Sequence, residues 1–250
     1  MSNSPVFDAY SRYYDLLYRD KDYAAESNYI NDVLKRYEIT GANILEFGSG
    51  TGKHGRLLAE RGYQVMGIER SEEMVAQALQ KDGFSSQQGD IRSVQLGRTF
   101  DAVISLFHVV SYQVSNEDVR AVFSRAAEHL QPGGLFVFDV WYSPAVYAQQ
   151  PEVRVKRLAD ESIDITRIAE PVIYPNDNKV DVNFTIFSHD TNTDVCQVLK
   201  ECHPMRHFSL PEVDLFAENA GFERLAAEEF LSGSEPGIDT WGVCFVLRKV

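Results

Sequence analysis

The sequence predicts an α/β fold in which a doubly wound parallel sheet carries an inserted antiparallel β layer. Three observations predict it. Between residues 41 and 142, short apolar runs alternate with helical patterns, which is typical of parallel strands joined by helices. The first of these runs ends in three glycines at alternate positions. Residues 143–208 contain runs of strict two-residue alternation, which indicates antiparallel strands with one solvated face.

The first 40 residues are predicted to form a helical segment in front of the sheet. Four tyrosines lie close together in the sequence near its beginning, at Tyr10, Tyr13, Tyr14 and Tyr18. These side chains either pack on the domain surface or close over a pocket as a lid, and both alternatives remain open at this point. Asp22 is the expected N-cap of a helix whose apolar positions follow the 3.6-residue period.

The core then follows in order over residues 41–142. The expected strands cover residues 42–47, 64–69, 84–88, 100–107 and 135–141, and the expected helices cover residues 53–61, 72–80 and 116–130. Ser71 and Ser115 are in position to begin the second and third of these helices, and acidic residues follow both in the first turn.

The rest of the chain divides into an insertion over residues 143–208 and a closing segment over residues 209–250. Residues 163–168 and 180–186 are the clearest strands of the insertion, with a turn at residues 175–178. Residues 209–212 (S-L-P-E) predict a capping box with proline in the first turn of a final helix. Two last strands, near 223–230 and 241–248, complete the sheet.

The glycine-rich turn after the first strand predicts a ligand site. Glycine allows a sharp turn and a close approach of backbone to ligand, and the helix that follows aims its N–H groups at the same place. Glu69 ends the second apolar strand. An acid at this position typically binds the two ribose hydroxyls of a nucleoside-containing cofactor. The pair predicts a nucleoside-cofactor site.

Composition excludes several other functions. The net charge of −13 and the absence of any basic run argue against nucleic acid as a partner. No apolar stretch has the length of a membrane span, and residues 1–5 form no signal sequence. The three cysteines have no metal-ligand spacing and leave an odd thiol. We therefore expect a cytoplasmic protein without a metal.

Two cofactor classes remain to be separated. Residues 50–55 (G-T-G-K-H-G) have the glycine spacing of the dinucleotide fingerprint. This match makes a NAD-binding oxidoreductase the rival prediction. However, Glu46 lies inside the first strand, where it would repel a pyrophosphate.

The string E-F-G-S-G-T-G at residues 46–52 resembles motif I of the class I S-adenosylmethionine (SAM)-dependent methyltransferases. Residues 88–92 (Q-G-D-I-R) resemble the adenine-binding turn of that family, and residues 131–134 (Q-P-G-G) resemble its motif III region. The resemblance implies the Rossmann-like fold of this family and SAM as cofactor, with Asp90 accepting from the adenine amino group. The implied cofactor residues are Glu46, Gly48, Ser49, Gly50, Gly52, Glu69, Arg70, Asp90, Ile91 and Leu106.

Further stretches are similar to one subgroup, the N-methyltransferases that dimethylate amino groups on nucleotide-linked deoxysugars. They are residues 22–26, 96–103, 141–144 and 201–203. This chain has W-Y-S-P at residues 141–144 where the subgroup usually has W-W-F-P, and Asp139-Val140 where an acid–proline pair is usual. The resemblance implies an amino sugar on a nucleoside diphosphate as acceptor, and the departures put the acceptor pocket in doubt.

Acceptor-side candidates lie where the strands end. Tyr112 follows the fourth strand and is expected to orient an amine, His108 ends an apolar run, and His203 lies on the insertion. Tyr14 belongs to the possible lid. A lone histidine such as His108 is more often a core residue than a base, and an amine can also lose its proton to solvent.

Other interpretations stay open at this point. Trp141 and Tyr142 are expected as pocket wall, and His54 as either a contact to the cofactor carboxylate or a solvated helix start. The alternatives for function are O- or N-methylation of another small metabolite and a catalytically silent SAM-binding module. The exposed antiparallel layer suggests a homodimer.

Overall fold

The computed structural model describes residues 16–78 and 80–250, and these divide into two compact units. Of the described residues, the larger unit contains Asp22–Gln149 and His207–Val250, and the smaller contains residues 16–21 together with Gln150–Arg206. Tyr10, Tyr13 and Tyr14 lie outside the described residues. Within the described part of the chain, no helix is both long and apolar enough to cross a bilayer.

The larger unit is built on a mixed sheet with helices. Its strands are β1 (Asn43–Phe47), β2 (Gln64–Glu69), β3 (Phe84–Gln88), β4 (Phe100–Ser105), β5 (Leu130–Tyr142), β10 (Phe222–Glu229) and β11 (Gly242–Lys249). Strands β3, β2, β1, β4 and β5 lie side by side and parallel. Strand β11 pairs antiparallel with β5 and β10 pairs antiparallel with β11, so the predicted final hairpin is confirmed.

Helices connect these strands. They are α1 (Tyr23–Arg36), α2 (Lys53–Ala59), α3 (Glu72–Gln77), α4 (Asn116–Glu128), α5 (Ser143–Gln149) and α6 (Leu210–Asn219), with a 3-10 turn at Val109–Tyr112. The predicted N-caps are confirmed. Asp22 accepts from the Ala25 N–H at 2.8 Å, Ser71 from the Met74 N–H at 3.3 Å, and Ser115 from the Asp118 N–H at 3.0 Å.

The predicted capping box at residues 209–212 is wrong. The Ser209 side chain makes no capping bond, and the first helical hydrogen bond runs from the Val213 N–H to the Ser209 backbone oxygen at 3.1 Å. Pro211 still lies in the first turn, because proline tolerates a position whose N–H has no helical partner.

Strand β4 ends earlier than its apolar run suggested. Phe107 and His108 both adopt positive φ, at 64° and 61°, so the chain leaves the sheet after Ser105. Strand β5 begins earlier than expected, because Leu130 already pairs with Phe100 ahead of a register shift. The core on the two faces of the sheet includes Phe47, Phe123, Phe136, Phe138 and Phe245 on one side, and Ile30, Val33, Leu34, Ile104 and Val246 on the other.

The smaller unit contains an antiparallel sheet. Its strands are β6 (Arg154–Ala159), β7 (Ile163–Tyr174), β8 (Lys179–Asp190) and β9 (Val195–Phe208), of which the last two residues belong to the larger unit. Each strand pairs antiparallel with the next, and the predicted turn at residues 175–178 joins β7 to β8. Leu17 is fully buried with Ile165 and Ile186, so the described end of the N-terminal segment packs within this unit.

Candidate active site

The glycine turn lies between β1 and α2, and its three alternate glycines have different environments. All three have positive φ, at 71° for Gly48, 53° for Gly50 and 76° for Gly52. A Cβ on Gly48 would lie 2.5 Å from the Val109 side chain, and one on Gly52 would lie 2.5 Å from the Phe84 ring. Among the described residues, a Cβ on Gly50 would meet only Met74 Sδ, at 3.9 Å. The turn is therefore packed at both ends and open at Gly50.

Glu69 is fixed beside this opening. Its Oε2 accepts from the Gly50 N–H at 2.9 Å, and its Oε1 accepts from the Ser71 N–H at 2.8 Å. Each oxygen keeps a second lone pair, since a carboxylate offers about four acceptor positions. The carboxylate is thus held in one orientation at the end of β2, where a pair of hydroxyl groups can be bound. Arg70, the next residue, is exposed.

Glu46 is a buried acid in β1, only 1 % exposed, and its Oε2 has no hydrogen-bond partner among residues 16–78 and 80–250. Burial, together with the charge of Glu69, raises the pKa of Glu46 to about 8, and the backbone N–H of Gly55 acts in the opposite direction. A carboxyl buried in this way stays protonated near neutral pH unless a positively charged group comes close and stabilises its ionised form. The residue therefore fits a cationic ligand.

His54 is not in the solvated environment that was one of its two predictions. It lies in the first turn of α2, but it is buried, and its Nε2 is 2.6 Å from Oε2 of Glu26 on α1. Its Nδ1 is 3.9 Å from Glu46 Oε1, and the Tyr23 ring lies 4.9 Å away. His54 is therefore no solvated helix start. The Glu26 partner could not be inferred from sequence, because it comes from a different element.

Asp90 is engaged by a neighbour that the sequence analysis did not assign. Arg92 donates to it from its backbone N–H at 2.9 Å and from Nη2 at 2.6 Å, and Arg92 Nη1 also donates to Asp118 at 2.9 Å. Hydrogen bonding from Arg92 lowers the pKa of Asp90, so this carboxyl is held ionised. The only sequence signal for this arrangement was the two-residue spacing of the acid and the arginine.

The remaining predicted cofactor residues line the same edge or the core beneath it. Ser49 is buried with its Oγ 3.2 Å from Ser86 Oγ, and Ile91 and Leu106 are buried among core side chains. The backbone N–H groups of Gly48 and Ser49 both donate to Ile68 O, at 2.8 and 3.2 Å. These bonds attach the glycine turn to β2.

On the acceptor side, His108 faces Asp139. Its Nδ1 lies 2.7 Å from Asp139 Oδ2, and its backbone N–H donates to the same carboxylate at 3.2 and 3.3 Å. The indole of Trp141 lies 6.2 Å from the His108 ring, and Trp241 lies 6.0 Å beyond Trp141. His108 is therefore not a residue that merely fills the core. Asp139 had no assigned role, although an acid inside an apolar strand was a signal.

The other acceptor-side candidates lie in different places. Tyr112 is half-buried at the end of the 3-10 turn in the larger unit, and Tyr142 packs on the core there. His203 belongs to the smaller unit, where its Nε2 lies 3.1 Å from Glu201 Oε2 and its ring lies edge-on to Phe184 at 4.8 Å. Tyr14 is outside the described residues.

Comparison with known proteins agrees with this geometry. Residues 44–134 match the family model described as a methyltransferase domain. The chain is 33% identical over 176 residues, which are 69% of it and 74% of the relative, to the dTDP-3-amino-3,4,6-trideoxy-alpha-D-glucopyranose N,N-dimethyltransferase of Streptomyces venezuelae.

Two solved structures are similar over nearly the whole chain. The Streptomyces venezuelae protein DesVI has a TM-score of 0.81 and 28% identity, covering 96% of this chain and 98% of that one. The SAM-bound amino pentose methyltransferase CalS10 of Micromonospora echinaspora has a TM-score of 0.76 and 24% identity, with full coverage of both chains.

The chain belongs to the class I SAM-dependent methyltransferases. It is an enzyme of this class, and SAM is its cofactor. Within the class it resembles the sugar N-methyltransferases. The residues present fit the cofactor, because the open side of Gly50 admits a ligand against the backbone and the unpaired Oε2 of Glu46 suits a cation.

Proposed function

We propose that this enzyme methylates the amino group of a sugar carried by a nucleoside diphosphate. The observation that carries the proposal is Asp139, a buried acid on the acceptor side of the larger unit. Buried carboxylates favour positively charged ligands. An amine acceptor, which is an ammonium ion at neutral pH, suits this environment better than a neutral hydroxyl group. The names of the relatives point to the same acceptor class.

The chemistry asks little of the protein beyond position. When bound, SAM supplies an electrophilic methyl group on a sulfonium ion. The chain has to hold the acceptor nitrogen in line with that methyl group and keep water away. We propose that Glu69 and Asp90 hold the ribose and the adenine, Gly50 allows the close approach, and Tyr112 orients the amine. Trp141 and Trp241 supply an apolar wall that keeps water from the acceptor nitrogen.

The proposal is tested by an acceptor panel. The parent enzyme is incubated with SAM and nucleotide-linked amino sugars that differ in the position of the amine, and products are analysed by mass spectrometry. Each amino sugar is matched by the same nucleotide sugar with a hydroxyl in place of the amine, and by the free amino sugar without nucleotide. We expect a mass gain of one or more methyl groups only on a nucleotide-linked amine. Methylation of the hydroxyl compound alone, or no methylation at all, contradicts the proposal.

One observation favours a second candidate, another small amine or alcohol. Residues 141–144 depart from the pattern usual among sugar N-methyltransferases, and Ser143 occupies one of the changed positions. Its Oγ lies 2.8 Å from Nδ1 of His207, and His207 also contacts Tyr147. This polar group replaces a large apolar side chain, so a differently shaped acceptor fits the change. Turnover of non-sugar amines together with inactivity on the sugar panel would favour this candidate.

We also propose that the enzyme forms a homodimer in the cytoplasm. One face of the smaller unit's sheet exposes four large apolar side chains, Val155, Val172, Phe187 and Val198, and the strand registers put them on the same side. Exposed apolar patches commonly mark protein interfaces. Light scattering on the parent and on Phe187→Lys tests the dimer, with a dimeric parent and a monomeric variant as the expected result.

The proposed location in the cytoplasm rests on the three cysteines. They form no disulfide, which supports a reducing compartment.

A further inference from the structure

The turn after β4 is strained at two consecutive residues. Phe107 has φ of 64° and His108 has φ of 61°, and neither is a glycine. The left-handed region costs a residue with a side chain roughly 1–2 kcal/mol, so two in a row persist only where the surroundings hold them. Strain of this kind concentrates at functional sites. The positive φ of these two residues sets the direction in which the His108 side chain leaves the backbone.

Asp139 holds the turn. It lies on β5 and is 1 % exposed, and its two oxygens accept the His108 N–H at 3.3 and 3.2 Å. The same carboxylate lies 2.7 Å from Nδ1 of the His108 ring, which is the distance of an ion pair, although the N–H does not point along this line. One buried acid therefore holds the backbone of His108 and also lies beside its ring. It also favours the form of the imidazole that carries a proton on Nδ1.

The opposite edge of the imidazole is available. Nε2 of His108 makes no hydrogen bond with another described residue, and the side chain is 24% exposed. The ring's other neighbours carry no charge. They are the Phe107 ring at 5.9 Å, the Trp141 ring at 6.2 Å and Gly242, where even a Cβ would stay 3.7 Å from Cε1. Asp139 is the charged group that faces this ring within the described residues.

The turn also lies directly on the glycine turn. Val109, the residue after His108, fills the space that a Cβ on Gly48 would need, at 2.5 Å. The side chain next to His108 thus packs against the backbone of the glycine turn. A group carried by this turn is close to the reacting atoms once cofactor and acceptor are bound.

We propose that His108 is the base that takes the proton from the acceptor ammonium, and that Asp139 is its positioning residue. The proposal rests on the proposed amine acceptor. The ammonium N–H bond breaks, its electron pair stays on nitrogen, and the proton goes to Nε2. The nitrogen pair then forms the bond to the methyl carbon while the carbon–sulfur pair goes to sulfur. The products are S-adenosylhomocysteine, the methylated ammonium and a proton that leaves His108 for solvent.

The first test compares His108→Gln with His189→Gln. His189 is a matched control, because it also has an acidic partner, Asp194 at 2.8 Å, but lies on the exposed surface of the smaller unit. For His108→Gln we expect kcat/KM to fall by about 10²-fold or more, the usual contribution of a general base, with loss of the acid limb of its pH profile. SAM affinity by calorimetry should stay within about twofold of the parent. His189→Gln should match the parent throughout.

A second variant uses the unusual backbone. Glycine suits φ of 61°, so His108→Gly removes the imidazole without adding strain. We expect an inactive, folded protein whose turnover returns when imidazole is added to the buffer, and more so at pH values where imidazole is neutral. The control is the same addition to the parent and to His189→Gly. Absence of rescue in a folded His108→Gly protein that still binds SAM contradicts the role of base.

Asp139→Asn separates positioning from simple stability. The amide oxygen can still accept the His108 N–H, but the charge beside the ring is lost. We expect kcat to fall by about tenfold to a hundredfold while SAM affinity changes little, because Asp139 acts through His108. A merely structural Asp139 would lower the melting temperature and leave kcat per folded molecule intact.

The outcomes distinguish this inference from the proposed function. A parent that methylates no nucleotide-linked amino sugar contradicts the proposed function and the base together. A parent that methylates such a sugar, with a His108→Gln variant of equal kcat/KM at every pH, contradicts the base alone and leaves the proposed function standing.

Discussion

At the scale of single residues, the glycines of the first turn have separable roles. Gly48 and Gly52 are required by packing, because Val109 and Phe84 occupy the space beside them. Gly50 has a positive φ but open surroundings. The reason for a glycine at this position therefore has to be tested through the ligand.

We expect Gly50→Ala to weaken SAM binding by at least tenfold, because the added methyl group stands where the cofactor approaches the backbone. Gly62→Ala is the matched control. Gly62 also has positive φ, at 95°, and nothing within 4 Å of a Cβ, so it carries a similar backbone penalty of roughly 1–2 kcal/mol without facing the site. Calorimetry with SAM on both variants measures whether only Gly50→Ala loses affinity. Equal affinity in the two variants would mean that the cofactor does not approach Gly50.

Glu46 predicts a pH dependence of stability. Its pKa in the folded protein is raised to about 8 from 4.5, so the folded state holds a proton that the unfolded state loses between these values. The free energy of unfolding should therefore fall as pH rises through this window and level off above about 8. Between pH 6 and pH 9 the fall should be roughly 2–3 kcal/mol larger in the parent than in Glu46→Gln. Urea unfolding without SAM measures it, and parallel pH curves for the two proteins would exclude it.

Tyr112 tests the orientation of the acceptor. A phenol with its ordinary reactivity is a poor base at neutral pH, so we expect it to position the amine by a hydrogen bond. Tyr112→Phe should lower kcat/KM by about tenfold to a hundredfold and leave SAM affinity unchanged. Steady-state kinetics with the best acceptor of the panel gives the value. A parental rate would place the amine elsewhere.

At the scale of elements, side-chain contacts join α1 to the rest of the larger unit at two points. Glu26 near its beginning reaches His54 in α2, and Tyr29 donates to Glu228 on β10 at 2.7 Å. Arg36 at its end also donates to Glu228, at 2.7 Å, and burial raises the pKa of the Tyr29 phenol, which keeps it protonated. This helix therefore supports the glycine turn through α2 instead of lying loosely on the surface.

We expect Glu26→Ala to lower the free energy of unfolding by about 1–3 kcal/mol, because His54 would be left buried without this carboxylate. SAM affinity should also fall, since His54 lies two residues after Gly52. Glu235→Ala is the control, because Glu235 is exposed in the loop between β10 and β11. Chemical unfolding and calorimetry on both variants test the idea. A Glu26→Ala protein as stable as Glu235→Ala would show that the Glu26–His54 contact contributes nothing to folding.

At the scale of the whole molecule, the question is what the N-terminal segment does. Leu17 is fully buried with Ile165 and Ile186, the backbone oxygen of Leu17 accepts from Lys156 Nζ at 2.7 Å, and Arg19 donates to Ala159 O at 3.0 Å. The described end of the segment is thus a structural part of the smaller unit. Whether the segment also acts as a lid remains a prediction for residues 1–15.

Leu17→Ala separates these roles. We expect a loss of about 2–5 kcal/mol in the unfolding free energy of the smaller unit, as for other buried leucines, with kcat per folded molecule intact. Leu215→Ala on α6 is the control, since that leucine is 63% exposed. A stable Leu17→Ala protein with reduced kcat would favour the lid over packing.

Local patterns in the sequence were enough to predict most of the larger unit. The glycine turn, the N-caps at Asp22, Ser71 and Ser115, and the alternation of strand and helix depend on φ preferences and short-range periodicity, which neighbouring residues encode by themselves. The strand bounds at 64–69 and 84–88 agree with β2 and β3 for this reason. The pattern at Ser209 fits a helix that begins with or without a side-chain capping bond, and the predicted capping box was wrong.

Contacts between elements were decided only by the tertiary structure. His108 and Asp139 are 31 residues apart, and Glu26 and His54 are 28 apart. Each pair depends on the register or packing of two elements, which no local pattern specifies. The sequence predicted a nucleoside-cofactor site after the first strand, because glycine spacing and strand-end acids are local features, and the family resemblance implied SAM. The fold decided which acid faces which histidine, because a buried charge takes whichever partner the packing brings within about 3 Å.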